Sequence, residues 1–264
     1  MGRPCYCCSR PVAVLLLAVA ALGLPSCDGT VYQLRQEERP SGAARSPHMA
    51  AAMSGDYMSR VQLSGPAGLC LDGSRPVYYI HRGAVARKWV VFFEGGDWCT
   101  RWEETGVKDF QRSCYTRSFS SGSSSRSGPL KSLAVLGQLY GVLSSEEERN
   151  PLAHDWNKVY VKNCDASSYT SSLERYVRVR GRSLFFRGKA IMEELIQDLL
   201  DKQGLQDATD LVIAGCSAGG LSVHLHAPAW REALKGRAVA LGRPDAADIR
   251  VAALVDSGFF LLPA

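Results

Sequence analysis

A serine hydroxyl attacks a carbonyl only when the chain presents it, a base takes its proton and N–H donors receive the charge it creates. Gly215-Cys216-Ser217-Ala218-Gly219 meets the first need. It matches G-x-S-x-G, in which the serine sits on a sharp strand-to-helix turn with its hydroxyl exposed. Leu211-Val212-Ile213-Ala214 before it reads as a buried strand, and a helix is expected after it through about Leu225. Gly215 and Gly219 suit the turn, because side chains two positions either side of the serine would collide where strand and helix cross. A glycine-rich turn that binds phosphate is the bland alternative. The strand-to-helix context favours Ser217 as a nucleophile.

An oxyanion needs two donors, one from the residue after the nucleophile and one from the loop after an earlier strand. Ala218 supplies the first. Phe92-Phe93-Glu94-Gly95-Gly96-Asp97-Trp98-Cys99 is an apolar strand ending in paired glycines. Gly96 and Asp97 are therefore candidates for the second.

The base is harder to place. In this type of site the chain order is Ser, acid, His, and His224 and His226 alone follow Ser217. Both fall on the helix after the serine, about 10 and 13 Å along it at the helical rise, so neither is a plausible base. Asp256 ends the next predicted strand, where a structural aspartate bonding a turn is the better reading. His48, His81 and His154 precede the nucleophile and would break the order. The sequence stops at Phe259-Phe260-Leu261-Leu262-Pro263-Ala264, just past a core strand. The domain is accordingly expected to be incomplete at its C-terminus.

The elements that must hold these residues read as α/β. Strands are expected at Val77–Ile80, Trp89–Phe93, Val159–Val161, Leu211–Ala214 and Val251–Val255. Residues 185–202 carry Ile191, Leu195, Ile196, Leu199 and Leu200 at helical spacing, with Gly204 as a stop. Strands alternating with helices imply a mostly parallel sheet flanked by helices. Ser118–Gly128 is a serine-rich, low-complexity loop. Residues 27–58 show no periodicity and read as a flexible lead-in, with order beginning near Val61.

At the start, Arg3 and Arg10 make a positive stretch ahead of an apolar run, Val12–Leu24, of 13 residues. That is short of the roughly 20 a spanning helix needs, so residues 1–26 read as a cleaved signal peptide and not an anchor. The mature chain is expected outside the cell or in the secretory lumen, with no membrane span. Cys5, Cys7 and Cys8 leave with the leader, and Cys27 with them if cleavage falls just past it; Cys70, Cys99, Cys114, Cys164 and Cys216 then remain, and an oxidising compartment favours two bridges and one odd thiol. No C-x-x-C pair suggests zinc, and no metal or cofactor is expected. The formal charge of +5, or +3 without the leader, suits an acidic partner such as a polyuronate. No basic run suggests nucleic acid.

Five segments together resemble a known family. They are Phe93–Cys99, Asn157–Asp165, Phe186-Arg187-Gly188, Gly215–Gly220 and Asp256-Ser257-Gly258-Phe259-Phe260. In that order they are similar to pectin acetylesterases, a family that also includes the Notum carboxylesterases. Cys216 and the Cys164-Asp165 pair are closer to the plant members. The resemblance spans about residues 60–262 and implies an α/β-hydrolase-like fold, with 59–264 forming the N-terminal part of the domain. It implies Ser217 as nucleophile, Gly96, Asp97 and Ala218 as oxyanion donors, and a triad Asp and His beyond the Asp256 segment. Disulfides Cys70–Cys164 and Cys99–Cys114 would be in keeping with it. The substrate it implies is an O-acetylated polysaccharide such as pectin. Alternatives are a protein carrying a longer acyl group, or an inactive relative that only binds.

Overall fold

Two apolar runs, Trp89–Phe93 and Leu211–Ala214, offer no polar face to water and so need cover on both sides. They lie side by side at the heart of the sheet. The computed structural model describes residues 57–96, 98–99, 110–120, 122–124, 127–258 and 260. Its strands are β1 (Tyr57–Gln62), β2 (Val77–His81), β3 (Val85–Phe93), β4 (Leu130–Ser132), β5 (Trp156–Val161), β6 (Val177–Val179), β7 (Arg182–Leu184), β8 (Asp210–Cys216) and β9 (Arg250–Asp256). Its helices are α1 (Phe110–Arg117), α2 (Leu133–Leu139), α3 (Gly188–Lys202) and α4 (Ala218–Ala240). Seven strands form one mixed sheet in the order β4-β1-β2-β5-β3-β8-β9. The β5-β3-β8-β9 part is parallel, and β2, β1 and β4 extend it antiparallel. The expected α/β class with helices flanking the sheet is what the chain adopts.

Alternation along β3 divides the core. Trp89, Val91 and Phe93 pack with Ile191, Leu195 and Leu199 of α3 and with Val223, Trp230 and Leu234 of α4. Val90 and Phe92 point the other way, toward Leu133 and Leu136 of α2 and Tyr160. Both faces are covered because both sets are large and apolar. A third cluster gathers Cys99, Cys114, Ala166, Val179, Leu184 and Phe186 beside the C-terminal end of β3.

Several boundaries differ from expectation, each for a physical reason. The first described strand starts at Tyr57, ahead of Val61, because β1 pairs with both β2 and β4. The expected signal peptide, residues 1–26, and residues 27–56 of the expected lead-in at 27–58 lie outside the described residues. β3 starts at Val85 and carries a bulge between Val85 and Trp89. The Asn157 amide donates to the carbonyls of Val85, Ala86 and Lys88, satisfying acceptors the bulge takes out of the ladder. The helix after Ser217 runs to Ala240, well past Leu225. Pro228 lies inside it, yet burial of Trp230, Leu234 and Ala238 at four-residue spacing carries the helix through. The serine-rich loop is tied down: Gly122 O accepts from Asp72 N, and the Ser124 hydroxyl bonds Ser74 and Arg75.

Cys70–Cys164 and Cys99–Cys114 are disulfides, as the family resemblance implied. The odd thiol expected from the count is not found among the described residues, because Cys216 is disulfide-bonded too. Among the described residues no helix is long and apolar enough to cross a membrane.

Lys158 is the least expected core residue. It is fully buried on β5, and its ammonium donates to the carbonyls of His154 (2.6 Å) and Trp156 (3.3 Å). Burial pulls its pKa down to about 8, against the opposing pull of Asp155. The unfolded chain therefore binds this proton more tightly than the folded one between pH 8 and 10.5. Stability should rise with pH across that window and be lowest below it. Relative to Lys158→Met, the wild-type chain should gain about 2 kcal/mol in urea unfolding between pH 7 and pH 10. A difference that stays flat with pH would show that the amine is well solvated or paired.

Candidate active site

The candidate site forms where β8 turns into α4 over the end of β3. Ser217 sits at φ 55°, ψ −123°, a region that costs a side-chain-bearing residue roughly 1–3 kcal/mol. Neighbours over-determine it. Its N–H donates to the Asp256 carbonyl at the end of β9 (2.9 Å), and its own carbonyl accepts from Leu221 (3.0 Å). A Cβ on Gly219 would lie 2.2 Å from the Phe93 carbonyl, and one on Gly215 would lie 2.4 Å from the Gly219 carbonyl. A Cβ on Gly220 would come within 2.9 Å of the Asp256 carbonyl. No methyl fits at any of these three glycines, and the serine side chain is left half-buried at the apex.

The loop after β3 lies against this apex. A Cβ on Gly95 would be 2.7 Å from the Cys216 carbonyl and 3.4 Å from Ser217 Cβ. Gly96 is exposed with φ +127°, a conformation that favours glycine. The loop's course is fixed from β5. Glu94 accepts from Lys162 Nζ (2.7 Å) and from the Asn163 N–H (2.9 Å). The Asn163 amide donates to the carbonyls of Gly95 and Gly96. With those carbonyls held, the peptide planes of the loop are held too. Asp97, the other expected donor of this loop, lies outside the described residues. Ala218 is the first residue of α4, so its N–H has no acceptor within the helix to turn to. The structure thus brings Gly95 against Ser217, which Ala218 follows, with Gly96 next along the same loop and Gly215 and Gly219 framing the turn.

Sequence reasoning missed the segment that braces both halves. In the loop after β5, Ala166, Ser168 and Tyr169 all have positive φ (53°, 52° and 61°). The Ser168 hydroxyl accepts from the Trp98 indole N–H (2.6 Å) and donates to the Ala218 carbonyl (2.8 Å). One hydroxyl therefore links the loop after β3 to the first turn of α4. Asp165 anchors the strained stretch by accepting from the Ser167 hydroxyl and the Tyr169 N–H. Burial pushes its carboxyl pKa up, against those hydrogen bonds. Asn163-Cys164-Asp165 was legible as the close of a strand, but nothing in Ala, Ser or Tyr announces a left-handed backbone.

No base meets the serine among the described residues. His81 pairs with Lys158 near the start of β5, and His154 precedes β5. Both sit at the opposite end of the parallel strands from Ser217. His226 bonds the Ser168 carbonyl (3.1 Å), and His224 is exposed on α4. His48 lies outside the described residues. The Asp256 carboxylate accepts from the adjacent Ser257 hydroxyl (3.0 Å), a turn contact. Among the described residues no three His, Cys, Asp or Glu side chains group to hold a metal ion.

Comparisons with known proteins agree on one family. The family profile described as Pectinacetylesterase matches residues 56–263. Pectin acetylesterase 5 of Arabidopsis thaliana is 34% identical over 194 residues, 73% of this chain and 39% of that protein. Palmitoleoyl-protein carboxylesterase notum1' of Xenopus laevis is 34% identical over 209 residues, 78% of this chain and 38% of that protein. The chain thus spans well under half the length of these curated relatives. A solved structure of the Wnt deacylase Notum from Drosophila superposes with a TM-score of 0.61 at 27% identity, covering 78% of this chain and 56% of that one.

Gly219→Ala should test how closed the crossing is. Its methyl would meet backbone that cannot step aside, so the expected loss is about 3 kcal/mol or more in urea unfolding. A variant as stable as wild type would mean that β8 and α4 cross with more room than these contacts allow.

Proposed function

The chain belongs to the pectinacetylesterase family, an esterase family, and from that premise we propose that the whole protein is a secreted carboxylic ester hydrolase whose nucleophile is Ser217. The observation that carries the proposal is the strained serine at the head of α4, held where a substituent on any neighbouring glycine would strike backbone. Strain of this kind persists where the surrounding structure enforces it, and it clusters at reactive sites.

In the proposed reaction the Ser217 hydroxyl oxygen attacks the ester carbonyl carbon. The carbonyl oxygen becomes an oxyanion and takes N–H hydrogen bonds from Ala218 and from the Gly96-Asp97 stretch. The hydroxyl proton passes to a histidine base, then to the leaving alcohol. The order Ser, acid, His places that base and its aspartate C-terminal to Ser217. Water next adds to the acyl-serine, releasing the acid and restoring the hydroxyl. Trp98, Ser168 and Asn163 take no proton here. They hold the donors where charge will form.

An O-acetylated polysaccharide such as pectin is the proposed substrate, and secretion agrees with the disulfides. The Notum relative is as similar to this chain as the plant enzyme, so removal of a longer acyl group from a protein is the second reading.

Both are read by one series. The full-length protein is assayed on p-nitrophenyl esters of increasing acyl length, with O-acetylated pectin alongside. Activity highest on acetate, with acetate released from pectin, supports the first reading, and an optimum at long chains supports the second. Ser217→Ala should lower turnover by at least about 10⁴-fold. A variant that kept its activity would remove Ser217 from the mechanism, and a wild-type protein inert on every ester would leave a binding relative.

A further inference from the structure

β6 and β7 form a ribbon of their own, separate from the main sheet. Its turn, Arg180-Gly181, has positive φ at both residues (50° and 80°), the geometry of a tight two-residue hairpin. Val179 and Leu184 bury themselves in the cluster that holds Cys99 and Ala166. Cys99 continues the loop after β3, and Ala166 belongs to the strained loop that braces Ala218. The ribbon is therefore fastened to the end of the molecule that carries Ser217.

Its charge is lopsided. Residues 174–187 contain five arginines, Arg175, Arg178, Arg180, Arg182 and Arg187, and one acid, Glu174. That is a local charge of +4 in a chain whose formal total is +5. Among the described residues none of the five arginines forms an ion pair; the salt bridges lie elsewhere. Two are oriented by aromatic rings and backbone instead. The Arg182 guanidinium lies 4.1 Å from the Phe119 ring centre and donates to the Ser118 carbonyl (3.0 Å). Arg180 lies 5.7 Å from the Tyr115 ring centre. Arg175, Arg178 and Arg180 are exposed. Phe119 and Tyr176 beside them are about half exposed (49% and 53%).

Guanidinium groups left without carboxylates, set among flat rings, suit a polymer that repeats carboxylates along a chain of rings. We propose that this arginine ribbon is a docking surface for an acidic polysaccharide of the polyuronate class, holding the polymer beside Ser217. The choice of polymer rests on the esterase reading above. The surface itself rests on charge and exposure alone.

Polygalacturonate is the probe, with neutral galactan as control, in affinity electrophoresis of the full-length protein. Wild type and Ser217→Ala should both be retarded by polygalacturonate and by galactan not at all, and added salt should release them. Arg175→Gln/Arg178→Gln/Arg180→Gln should bind about tenfold more weakly, the loss expected of three exposed charge contacts. Its hydrolysis of p-nitrophenyl acetate should match wild type. The single variant Arg178→Glu serves if the triple variant unfolds. Undiminished binding by the variants, equal retardation by galactan, or tighter binding to phosphatidylserine vesicles or single-stranded DNA would each overturn the proposal. Binding without esterase activity would sink the catalytic reading and leave the docking surface standing.

Discussion

The contact on which the rest depends is a backbone crossing. α4 leaves β8 so close to the end of β3 that residue 219 rests on the Phe93 carbonyl. That proximity forces Ser217 into a conformation it would not otherwise take. It also requires glycine on both sides, and it brings the loop after β3 against the serine. Parallel pairing in register sets the crossing, with Phe93 beside Gly215. Apolar cover on both faces of β3 and β8 holds that pairing in turn. The apex thus inherits its geometry from the packing of two apolar strands.

Around the apex, polar groups do the fine positioning. Glu94 and Asn163 fix the backbone after β3, while Ser168 joins that loop to α4. Three residues in the left-handed region raise the energy of the bracing loop by roughly 1–3 kcal/mol each. The hydrogen bonds that Asp165 accepts from the Ser167 hydroxyl and the Tyr169 N–H hold that stretch in place. The arrangement is stiff because little in it can relax alone.

Much of this was legible in the sequence, and what was missed divides by physical cause. Continuous apolar runs gave the central strands, since burial on both faces leaves no room for polar residues. G-x-S-x-G gave the turn, since only glycine fits the crossing. The length of α4 was hidden because the packing that carries it past Pro228 is tertiary. α2 is a short helix with Gly137 inside it, too brief for periodicity to show. The ribbon's alternation, Val177-Arg178-Val179 and then Arg182-Ser183-Leu184 about Gly181, was present but short. Three residues a strand are too few for a period of two to stand out. The bracing role of Ser168 depends on contacts 50 and 70 residues away, and no local pattern encodes those.

The sheet order also sets a timetable. β3 is bordered by β5 on one side and β8 on the other, and β8 lies more than a hundred residues downstream of it. At the usual 5–20 residues per second of synthesis, β3 would wait on the order of ten seconds for its second neighbour. In that interval one edge of Trp89–Phe93 is open to any other strand, and the serine and its glycine loop have not yet met. The crossing that presents Ser217 therefore cannot form in a nascent chain that ends before the first turn of α4. Its appearance marks closure of the sheet's centre, which makes the strained turn at Ser217 a natural clock for folding.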